Sequence, residues 1–505
     1  MAFLNLARTH LILTALILRG ALAASAGIPQ QKPVSITDGC QQACADLDTI
    51  FGPASALHYP SNDPTFTIWD AKQAAVTPAC RVEPSNTSDV AQVLSILTRH
   101  WCTFAVKGGG HSRAVDASNS VGGVTVDMNR LDAVEVAADR QSARLGAGLV
   151  LREAYQGVEA EGVSFVGGRV ASVGLAGYTM GGGFSNLTPK MGLAVDNVLG
   201  YELVLPNATV VNVTYESEPD LYFALRGGAN NFGIVTHFTV RVVPQGKQLY
   251  AEKIFSSNYT DRVLAEAHRL TTSLANDTDM AYWTRYAYNQ SSDSYVHSLS
   301  MAYLQPELEP AVFAGVNTIP FESSTQKVDW MSNIATDVPF GLRHLFTTLT
   351  YTPSAELDAR IYSIFREEVA AVAAAEGFAP SVVIQPLHAN AIRAARARGS
   401  SALGLESPDG GPLTIALLTF GWSSAADDAA MYAFAESFRA RSETAAREMG
   451  LLNRFLYINY CKEDQDPFGG YGEENKQRLQ SIQAKVDPEG IFTSSGLNRG
   501  YFKLH

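Results

Sequence analysis

Three glycines and a histidine directly after an apolar run are the first feature of this sequence that could do chemistry. In "FAVKGGGHSR", residues 104–113, the glycine triplet separates the run from His111. Consecutive glycines expose backbone N–H groups that can wrap a pyrophosphate without an intervening side chain. Lys107 adds a cation beside them. A tight turn with an incidental histidine has the same letters, so this stretch alone does not decide between the two.

A second glycine-rich segment strengthens the phosphate-binding interpretation. Residues 166–197 read "VGGRVASVGLAGYTMGGGFSNLTPKMGLAVDN". A nicotinamide dinucleotide domain would show a strand, G-x-G-x-x-G and then a helix. The sequence predicts no such helix here, which excludes that domain. A pair of long glycine-rich loops can instead hold an extended dinucleotide along its length, because glycine lets the backbone approach a ligand closely.

The elements around these loops fall into two styles. From about Val76 to Pro244, short β-type runs alternate with helical or glycine-rich segments. From about Gly246 to Gly450, long β-type stretches such as "PLTIALLTFGW" alternate with alanine-rich helices, which predicts an antiparallel sheet covered on one face. The glycine-rich style then returns. The predicted division is a signal peptide over 1–23, a first domain over 24–245, a second over 246–450 and a segment over 451–505 that comes back to the first.

Composition sets broad limits on function. The chain has 505 residues, with 46% hydrophobic and 17% charged residues, as expected for a folded protein of two or three domains. The net charge of -12 and the pI near 5.4 argue against general affinity for nucleic acid or anionic membranes. The expected partner is therefore neutral or small.

The N-terminus predicts export. "MAFLNLARTHLILTALILRGALAASAG" has basic residues at Arg8 and His10, a short apolar run, and small residues at Ala21 and Ala23 that suit signal peptidase. A membrane anchor fits less well, because Arg19 interrupts a run already shorter than the roughly 20 apolar residues of a spanning helix. We therefore expect an extracellular protein.

Glycosylation sequons and cysteines agree with that expectation. The sequons begin at Asn86, Asn186, Asn207, Asn212, Asn258, Asn276 and Asn289. The five cysteines are Cys40, Cys44, Cys80, Cys102 and Cys461. In an oxidising compartment they allow two disulfides and one remaining thiol, with the pairing left open, and their spacing suits no zinc site.

Four motifs in order resemble one family. They are "FAVKGGGHS", "VGGRVASVGLAGYTMGGGFS" with "GLAVDNV", "PDLYFALRGGANNFGIVT", and "YINY" followed by "YGEENKQRLQSIQAKVDPEGIF". The sequence resembles the secreted, fungal-type berberine-bridge-enzyme-like oxidases of the vanillyl-alcohol-oxidase/PCMH-type FAD-binding superfamily. This resemblance implies an α+β fold in which two subdomains grip FAD and an antiparallel sheet of a separate substrate domain covers the flavin ring.

The resemblance also implies the cofactor contacts. These are Lys107, Gly108, Gly109, Gly110, His111, Ser112, Gly168, Val173, Gly174, Gly177, Gly181, Gly182, Gly183, Asn186, Val195, Gly233, Ile234, Val235, Asn459 and Tyr460. In the family the histidine of GGGHS is bonded to the flavin 8-methyl group, which raises the potential of the ring. His111 is thus the implied attachment residue. Many relatives add a cysteine where this chain has Val170, so we expect attachment through His111 alone.

Two tyrosines are implied at the reaction centre. Tyr178 falls where some relatives place a histidine beside the flavin N1/C2 carbonyl, so its phenol could stabilise the reduced ring, or it could simply pack. In "YINYC", strand alternation would put Tyr457 and Asn459 on one face and Tyr460 on the other. Some relatives use a tyrosine here as the base. A tyrosine has an ordinary pKa of about 10, so this role requires neighbouring groups that lower the pKa of the phenol. "TIALLTFGW" has no carboxylate to replace it.

Other polar and aromatic residues have two interpretations each. Arg226, Asn230 and Asn231 could contact phosphate, although a structural salt bridge is the better expectation for Arg226. The segment "AYWTRYAY" could line a substrate pocket or form an ordinary half-buried strand. Its candidates for the pocket are Trp283, Arg285, Tyr286 and Tyr288.

The sequence therefore predicts a secreted FAD-linked oxidase. Hydride from a small hydrophobic metabolite, alcohol or amine passes to the flavin, Tyr460 removes the accompanying proton, and dioxygen is reduced to hydrogen peroxide. A dehydrogenase that reacts poorly with oxygen stays open, as do a mono- or oligosaccharide oxidase and a non-catalytic secreted flavoglycoprotein, since fold alone does not decide substrate.

Overall fold

The computed structural model describes residues 37–60, 63–272, 277–396, 401–407 and 409–505. The predicted signal peptide over 1–23 and the sequon at Asn276 lie outside the described residues. Within those ranges, no helix combines the length and apolar character needed to cross a bilayer.

The first sheet has four strands in the order β1-β2-β4-β3. They are β1 (Leu57–His58), β2 (Cys80–Val82), β3 (Phe104–Lys107) and β4 (Val124–Asp127). Strands β2, β4 and β3 are parallel, with Val124 opposite both Cys80 and Phe104. Two helices accompany this sheet, α1 (Asp38–Phe51) and α3 (Thr87–Arg99), and the short α2 (Ala71–Ala74) lies between them in the chain. Strand β3 ends at Lys107, so the glycine triplet starts at its carboxyl end.

Disulfides tie helix α1 to this sheet. Cys40 is bonded to Cys102 and Cys44 to Cys80, while Cys461 is free and buried. Cys40 and Cys44 are one helical turn apart, so both face the sheet. The expectation of two disulfides and one remaining thiol is confirmed.

The second sheet has five antiparallel strands in the order β5-β6-β10-β8-β9. They are β5 (Val134–Val136), β6 (Ser142–Gly146), β8 (Val198–Val204), β9 (Val210–Thr214) and β10 (Ile234–Arg241), and β7 (Val163–Ser164) pairs separately with β11 (Val243–Pro244). The helices in this part are α4 (Leu151–Glu159), α5 (Leu175–Met180), α6 (Thr188–Met191) and α7 (Pro219–Leu225). Helix α5 follows Gly174 where no helix is predicted, but it has only six residues.

An eight-stranded antiparallel sheet forms the next part, in the order β15-β12-β14-β13-β17-β18-β16-β19. Its strands are β12 (Gln248–Phe255), β13 (Met280–Asn289), β14 (Ser294–Tyr303), β15 (Ser323–Asp329), β16 (Arg343–Tyr351), β17 (Ser381–Leu387), β18 (Leu413–Trp422) and β19 (Leu452–Asn453). The accompanying helices are α8 (Thr260–Thr272), α9 (Ala314–Asn317), α10 (Met331–Ile334), α11 (Ala355–Val372), α12 (Ala389–Arg396) and α13 (Asp428–Glu448).

Helices α11 and α13 cover one face of this sheet. Alternate residues of its strands, such as Leu418 and Phe420, join one buried cluster with Phe365 of α11 and Phe434 of α13. Because side chains alternate along a strand, the residues between them face the other way, toward the glycine loops. The predicted α+β fold with an antiparallel sheet covered by helices is confirmed.

The C-terminal segment contacts both parts of the molecule. Strand β19 pairs with β16 of the eight-stranded sheet, whereas the backbone N–H of Phe104 in β3 donates to Leu497 O at 3.0 Å. The segment also contains helices α14 (Pro467–Gly470) and α15 (Glu473–Val486). Residues Ile458–Tyr460 form a 3-10 turn, so the strand predicted for "YINYC" is wrong. Tyr457, Asn459 and Tyr460 consequently lie on one wall instead of on opposite faces.

Candidate active site

A cavity of about 340 Å³ lies where the glycine loops meet the eight-stranded sheet and the C-terminal segment. Its walls are mainly glycine, aliphatic and aromatic residues. The predicted residues that line it are Gly108, Gly109, Gly110, His111, Ser112, Gly168, Val173, Gly174, Gly177, Tyr178, Gly233, Ile234, Val235, Asn459 and Tyr460.

The two glycine loops touch through bare backbone. A Cβ on Gly109 would lie 2.3 Å from the nitrogen of Gly174, and a Cβ on Gly174 would lie 2.2 Å from the nitrogen of Gly109. A Cβ on Gly177 would meet no protein atom within 4 Å, because that position faces open space. Only glycines at 109 and 174 allow this approach, and together the loops present backbone to the cavity.

Six predicted contacts lie outside the cavity wall: Lys107, Gly181, Gly182, Gly183, Asn186 and Val195. The Lys107 ammonium lies 3.0 Å from Asp127 Oδ1. Lys107 therefore forms a buried ion pair with Asp127 and does not face the cavity. A Cβ on Gly181 would lie 2.0 Å from Asn459 Oδ1. That glycine therefore serves the packing of the loop against the C-terminal segment.

His111 is held in a column of aromatic rings. Its ring stacks on Trp69 at 4.7 Å between centres, and Trp69 stacks on His344 at 3.7 Å. His111 Nε2 is 2.9 Å from Ser172 Oγ. Burial, with the nearby charges of His344 and Arg113, lowers the pKa of His111 to about 3. The imidazole is thus neutral near pH 7 and held by a partner from the second glycine loop.

A network of amide and phenol groups fixes the opposite wall. Asn459 Oδ1 accepts a hydrogen bond from Tyr501 at 3.1 Å, and its Nδ2 donates to Tyr178 O at 3.1 Å and to the Tyr457 hydroxyl at 3.2 Å. The Tyr457 hydroxyl also accepts from the backbone N–H of Gly183 at 3.0 Å. Burial raises the pKa values of Tyr457 and Tyr501. These phenols therefore act as neutral supports.

Tyr460 differs from its neighbours because its hydroxyl has no hydrogen-bond partner within the described part of the chain. Its ring packs edge-on against Tyr457 at 4.7 Å and Phe346 at 6.3 Å. The guanidinium of Arg113 lies 3.9 Å above the Phe346 ring and donates to Asn459 O and Cys461 O, each at 3.2 Å. The free phenol thus lines the cavity with a fixed cation nearby.

Tyr178 lines the cavity with its ring, but its hydroxyl is engaged elsewhere. The phenol donates to Phe184 O at 3.0 Å. Burial, the largest cause, raises the pKa of Tyr178 well above its ordinary value, so the group stays protonated. Because its one proton is already donated within the protein, this geometry favours the packing role over stabilisation of a reduced ring.

Position 170 carries no reactive sulfur. Val170 lines the cavity and its backbone bridges to Thr336 of the chain before β16. The free Cys461 lies outside the wall, where burial raises the pKa of its thiol. A thioether from either position is therefore not supported.

The ambiguous residues have structural roles in most cases. The Arg226 guanidinium is fully buried, donates to Val195 O at 3.0 Å and lies 3.3 Å from Asp196 Oδ1, which is the expected salt bridge. Asn231 is buried and donates to Gly228 O at 2.8 Å. Asn230 instead lines the cavity, and its buried Oδ1 has no partner among the described residues.

The strand "AYWTRYAY" does not supply the cavity wall. Tyr286 and Tyr288 face the helices, and Tyr286 stacks on Tyr362 of α11 at 4.6 Å. The pocket role is wrong for these two, because strand alternation turns them away from the cavity. Trp283 and Arg285 are on the cavity side of the strand, but neither belongs to the wall.

Sequence reasoning missed several wall residues: Trp69, Arg113, Arg169, Phe346, Asn498 and Tyr501. Arg113 and Arg169 lie in the two glycine-rich stretches, and that position was the available signal. Trp69, Phe346, Asn498 and Tyr501 come from other segments that only the fold brings to the cavity.

Comparison with known proteins identifies the class. Residues 78–214 match the model of an FAD binding domain. The FAD-dependent monooxygenase tpcD of Cochliobolus heterostrophus is 34% identical to this chain, over 94% of this chain and 96% of the relative. The fold is similar to BBE-like 1 of Physcomitrella patens (TM-score 0.71, 20% identity, 88% and 97% covered) and to glucooligosaccharide oxidase of Acremonium strictum (TM-score 0.71, 17% identity, 88% and 97% covered).

A glycine-lined cavity on this fold defines an FAD-dependent oxidoreductase. The chain belongs to the PCMH-type FAD-binding superfamily, with berberine-bridge-enzyme-like proteins among its structural neighbours. FAD is its cofactor, as the sequence predicts. The wall fits that cofactor, because Gly109 and Gly174 leave bare backbone, Gly177 faces open space, and Asn230 Oδ1 has no partner in the described ranges.

Proposed function

We propose that this enzyme oxidises a small, largely apolar substrate with FAD attached at His111, and that dioxygen is the electron acceptor. Bound FAD supplies hydride acceptance and reoxidation by dioxygen, which yields hydrogen peroxide. The substrate would bear an O–H or N–H group or a carbon activated by unsaturation. Outside the glycine loops the wall is aromatic, with Trp69, Phe184 and Phe346, which suits an apolar molecule better than a sugar.

The observation that carries this proposal is the position of His111 in the cavity wall, where its Nε2 is held 2.9 Å from Ser172 Oγ. A neutral imidazole lining the cavity offers a ring nitrogen as nucleophile, whereas a protonated one would not. A solved structure of glucooligosaccharide oxidase is described as having a 6-S-cysteinyl, 8α-N1-histidyl FAD. With Val170 and a remote Cys461, this chain offers the histidyl link alone.

Tyr460 is our candidate to take the proton that leaves with the hydride. Its hydroxyl has no hydrogen-bond partner among the described residues and faces the cavity, and the Arg113 guanidinium lies on the far side of the neighbouring Phe346 ring. Tyr178, Tyr457 and Tyr501 are less suited, because their hydroxyls are engaged in hydrogen bonds. They would instead hold the wall in place.

The first test is a visible spectrum and a denaturing gel of the purified protein, with in-gel flavin fluorescence before and after His111→Ala. We expect a yellow protein whose fluorescence survives denaturation and is lost in the variant. A folded but colourless protein that cannot take up added FAD would contradict the oxidase proposal.

Substrate screening then separates the remaining functions. Peroxide released in a one-to-one ratio with product supports the oxidase, and peroxide formed only with oligosaccharides supports the sugar-oxidase alternative. Relatives such as tpcD are named monooxygenases. Transfer of ¹⁸O from labelled dioxygen into the product would replace the oxidase proposal with that activity. Bleaching of the flavin by any substrate would exclude a non-catalytic flavoglycoprotein.

A further inference from the structure

Arg169 is a cation in the cavity wall that has no acidic partner among the residues that the structure describes. Its Nη2 donates to Gln385 Oε1 at 2.7 Å, and its guanidinium lies 4.2 Å from the centre of the Trp283 ring and 5.9 Å from that of Phe184. No carboxylate of the described chain lies within 4.0 Å of it. The backbone carbonyl of Arg169 accepts from Thr336 N at 3.0 Å, which holds this loop against the chain before β16.

Two other half-buried arginines are paired with a carboxylate, whereas Arg113 has its Nη2 on the backbone carbonyls of Asn459 and Cys461. Arg144 lies 2.7 Å from Glu202, and Arg343 Nε donates to Asp428 at 2.6 Å. A cation removed from water without a counterion is costly, so such groups are normally paired. At Arg169, a counterion would have to come from a molecule bound in the cavity.

Gln385 is the neutral hydrogen-bond partner of Arg169. This residue of β17 is fully buried, and its Nε2 has no hydrogen-bond partner among the described residues. Its Oε1 orients the guanidinium through the one bond to Arg169. Gln385 itself is not part of the cavity wall, so the donors open to an approaching acceptor oxygen are those of the Arg169 guanidinium that Gln385 does not occupy.

We propose that Arg169, positioned by Gln385, binds an anionic oxygen of the substrate. The substrate class is then a small organic anion, a carboxylate or enolate, on an apolar body. This inference rests on the proposed function, because it names the substrate of the same cavity. Arg113 is a weaker candidate for this role, since two backbone carbonyls already occupy its Nη2.

The test compares two probes of nearly equal shape, benzoate and benzamide, by isothermal titration calorimetry on the FAD-loaded protein. We expect benzoate to bind about tenfold more tightly or better, because a charge-assisted hydrogen bond is stronger than a neutral one. Arg169→Met should abolish that preference. Arg285→Met, which removes an exposed cation of β13 outside the wall, should keep it.

Three results would overturn the anion site. They are equal or undetectable binding of both probes to the wild type, an unchanged benzoate preference in Arg169→Met, or loss of FAD from that variant, which would assign the cation to the cofactor. If Arg169→Met does not fold, Arg169→Gln replaces it, and the wild-type comparison stands by itself. A yellow, peroxide-forming protein without the preference contradicts only this inference, whereas a colourless protein contradicts the oxidase.

Discussion

At the residue scale, the chemistry depends on how His111 is surrounded. Trp69 separates its ring from His344, and the backbone N–H of His344 donates to Asp70 at 2.7 Å. Burial in this column disfavours the charged imidazolium, so the imidazole stays neutral at pH values well below its ordinary pKa. The imidazole of His111 is also hydrogen-bonded to Ser172 Oγ, and this contact decides which ring nitrogen carries the proton.

Ser172→Ala should slow formation of the covalent FAD link. If Ser172 Oγ accepts from Nε2–H, the lone pair of His111 Nδ1 is free to form the bond. Because one hydrogen bond is worth about 0.5–1.5 kcal/mol, we expect a rate lower by about 2- to 13-fold. The measurement is in-gel flavin fluorescence at intervals after adding FAD to the apoprotein. Ser172→Thr keeps the hydroxyl and should behave as the wild type; an unchanged rate in Ser172→Ala would refute this role.

At the element scale, the close contact between the two glycine loops at Gly109 and Gly174 maintains the shape of the cavity. Gly109→Ala places a methyl group 2.3 Å from a backbone nitrogen of the other loop. Overpacking of this kind costs about 1–3 kcal/mol or more. We expect a lower melting temperature and reduced FAD content, measured by calorimetry and by the ratio of flavin to protein absorbance.

Gly246→Ala is the matched control for the loop contact. Gly246 is exposed, and an added Cβ there would meet no atom within 4 Å. This variant should keep the melting temperature and FAD content of the wild type. Equal behaviour of the two variants would show that the loops separate without cost.

A buried histidine in the eight-stranded sheet should make the stability of the protein depend on pH. His297 of β14 is fully buried against Tyr286 and Tyr362, its ring nitrogens have no partners among the described residues, and burial lowers its pKa to about 3. The unfolded chain therefore binds a proton that the folded chain does not between about pH 6.5 and 3. Stability from this group is complete above pH 6.5 and is lost as the pH falls.

His297→Leu should remove that contribution. Below pH 6 the free energy of unfolding of the wild type should fall more steeply than that of the variant, by up to about 1.4 kcal/mol per pH unit. Urea titrations at pH 7.5, 6 and about 4.5 give the two slopes. Parallel slopes would mean that His297 is protonated in the folded protein.

At the scale of the whole molecule, secretion is a proposal supported by two disulfides and by exposed sequons. Asn86, Asn207, Asn212, Asn258 and Asn289 are exposed, whereas Asn186 is only 3% exposed and its Nδ2 lies 3.7 Å from Met331 Sδ. Glycopeptide mass spectrometry of protein from a fungal culture medium should find glycans at exposed sequons and none at Asn186. A glycan on Asn186, or protein retained in the cells, would contradict this proposal.

The sequence by itself determined the local parts of the protein. Runs of glycine after a β-type strand predicted loops with bare backbone, and long alternating stretches predicted the antiparallel sheet, because both depend on neighbouring residues only. The position of His111 just after β3 followed in the same way, whereas the number of two disulfides followed from the total of five cysteines. Residue types within a few positions decide such features, since backbone preference and side-chain alternation are short-range effects.

Only the tertiary structure decided which side chains meet. Trp69 reaches His111 from 42 positions away, and Gln385 reaches Arg169 across 216 positions. The direction of the Tyr178 hydroxyl, the 3-10 turn at Tyr460 and the pairing of cysteines likewise depend on segments distant in the chain. Such contacts arise when whole elements pack, and the resulting burial and partners, which no local pattern contains, set the charge and availability of each group.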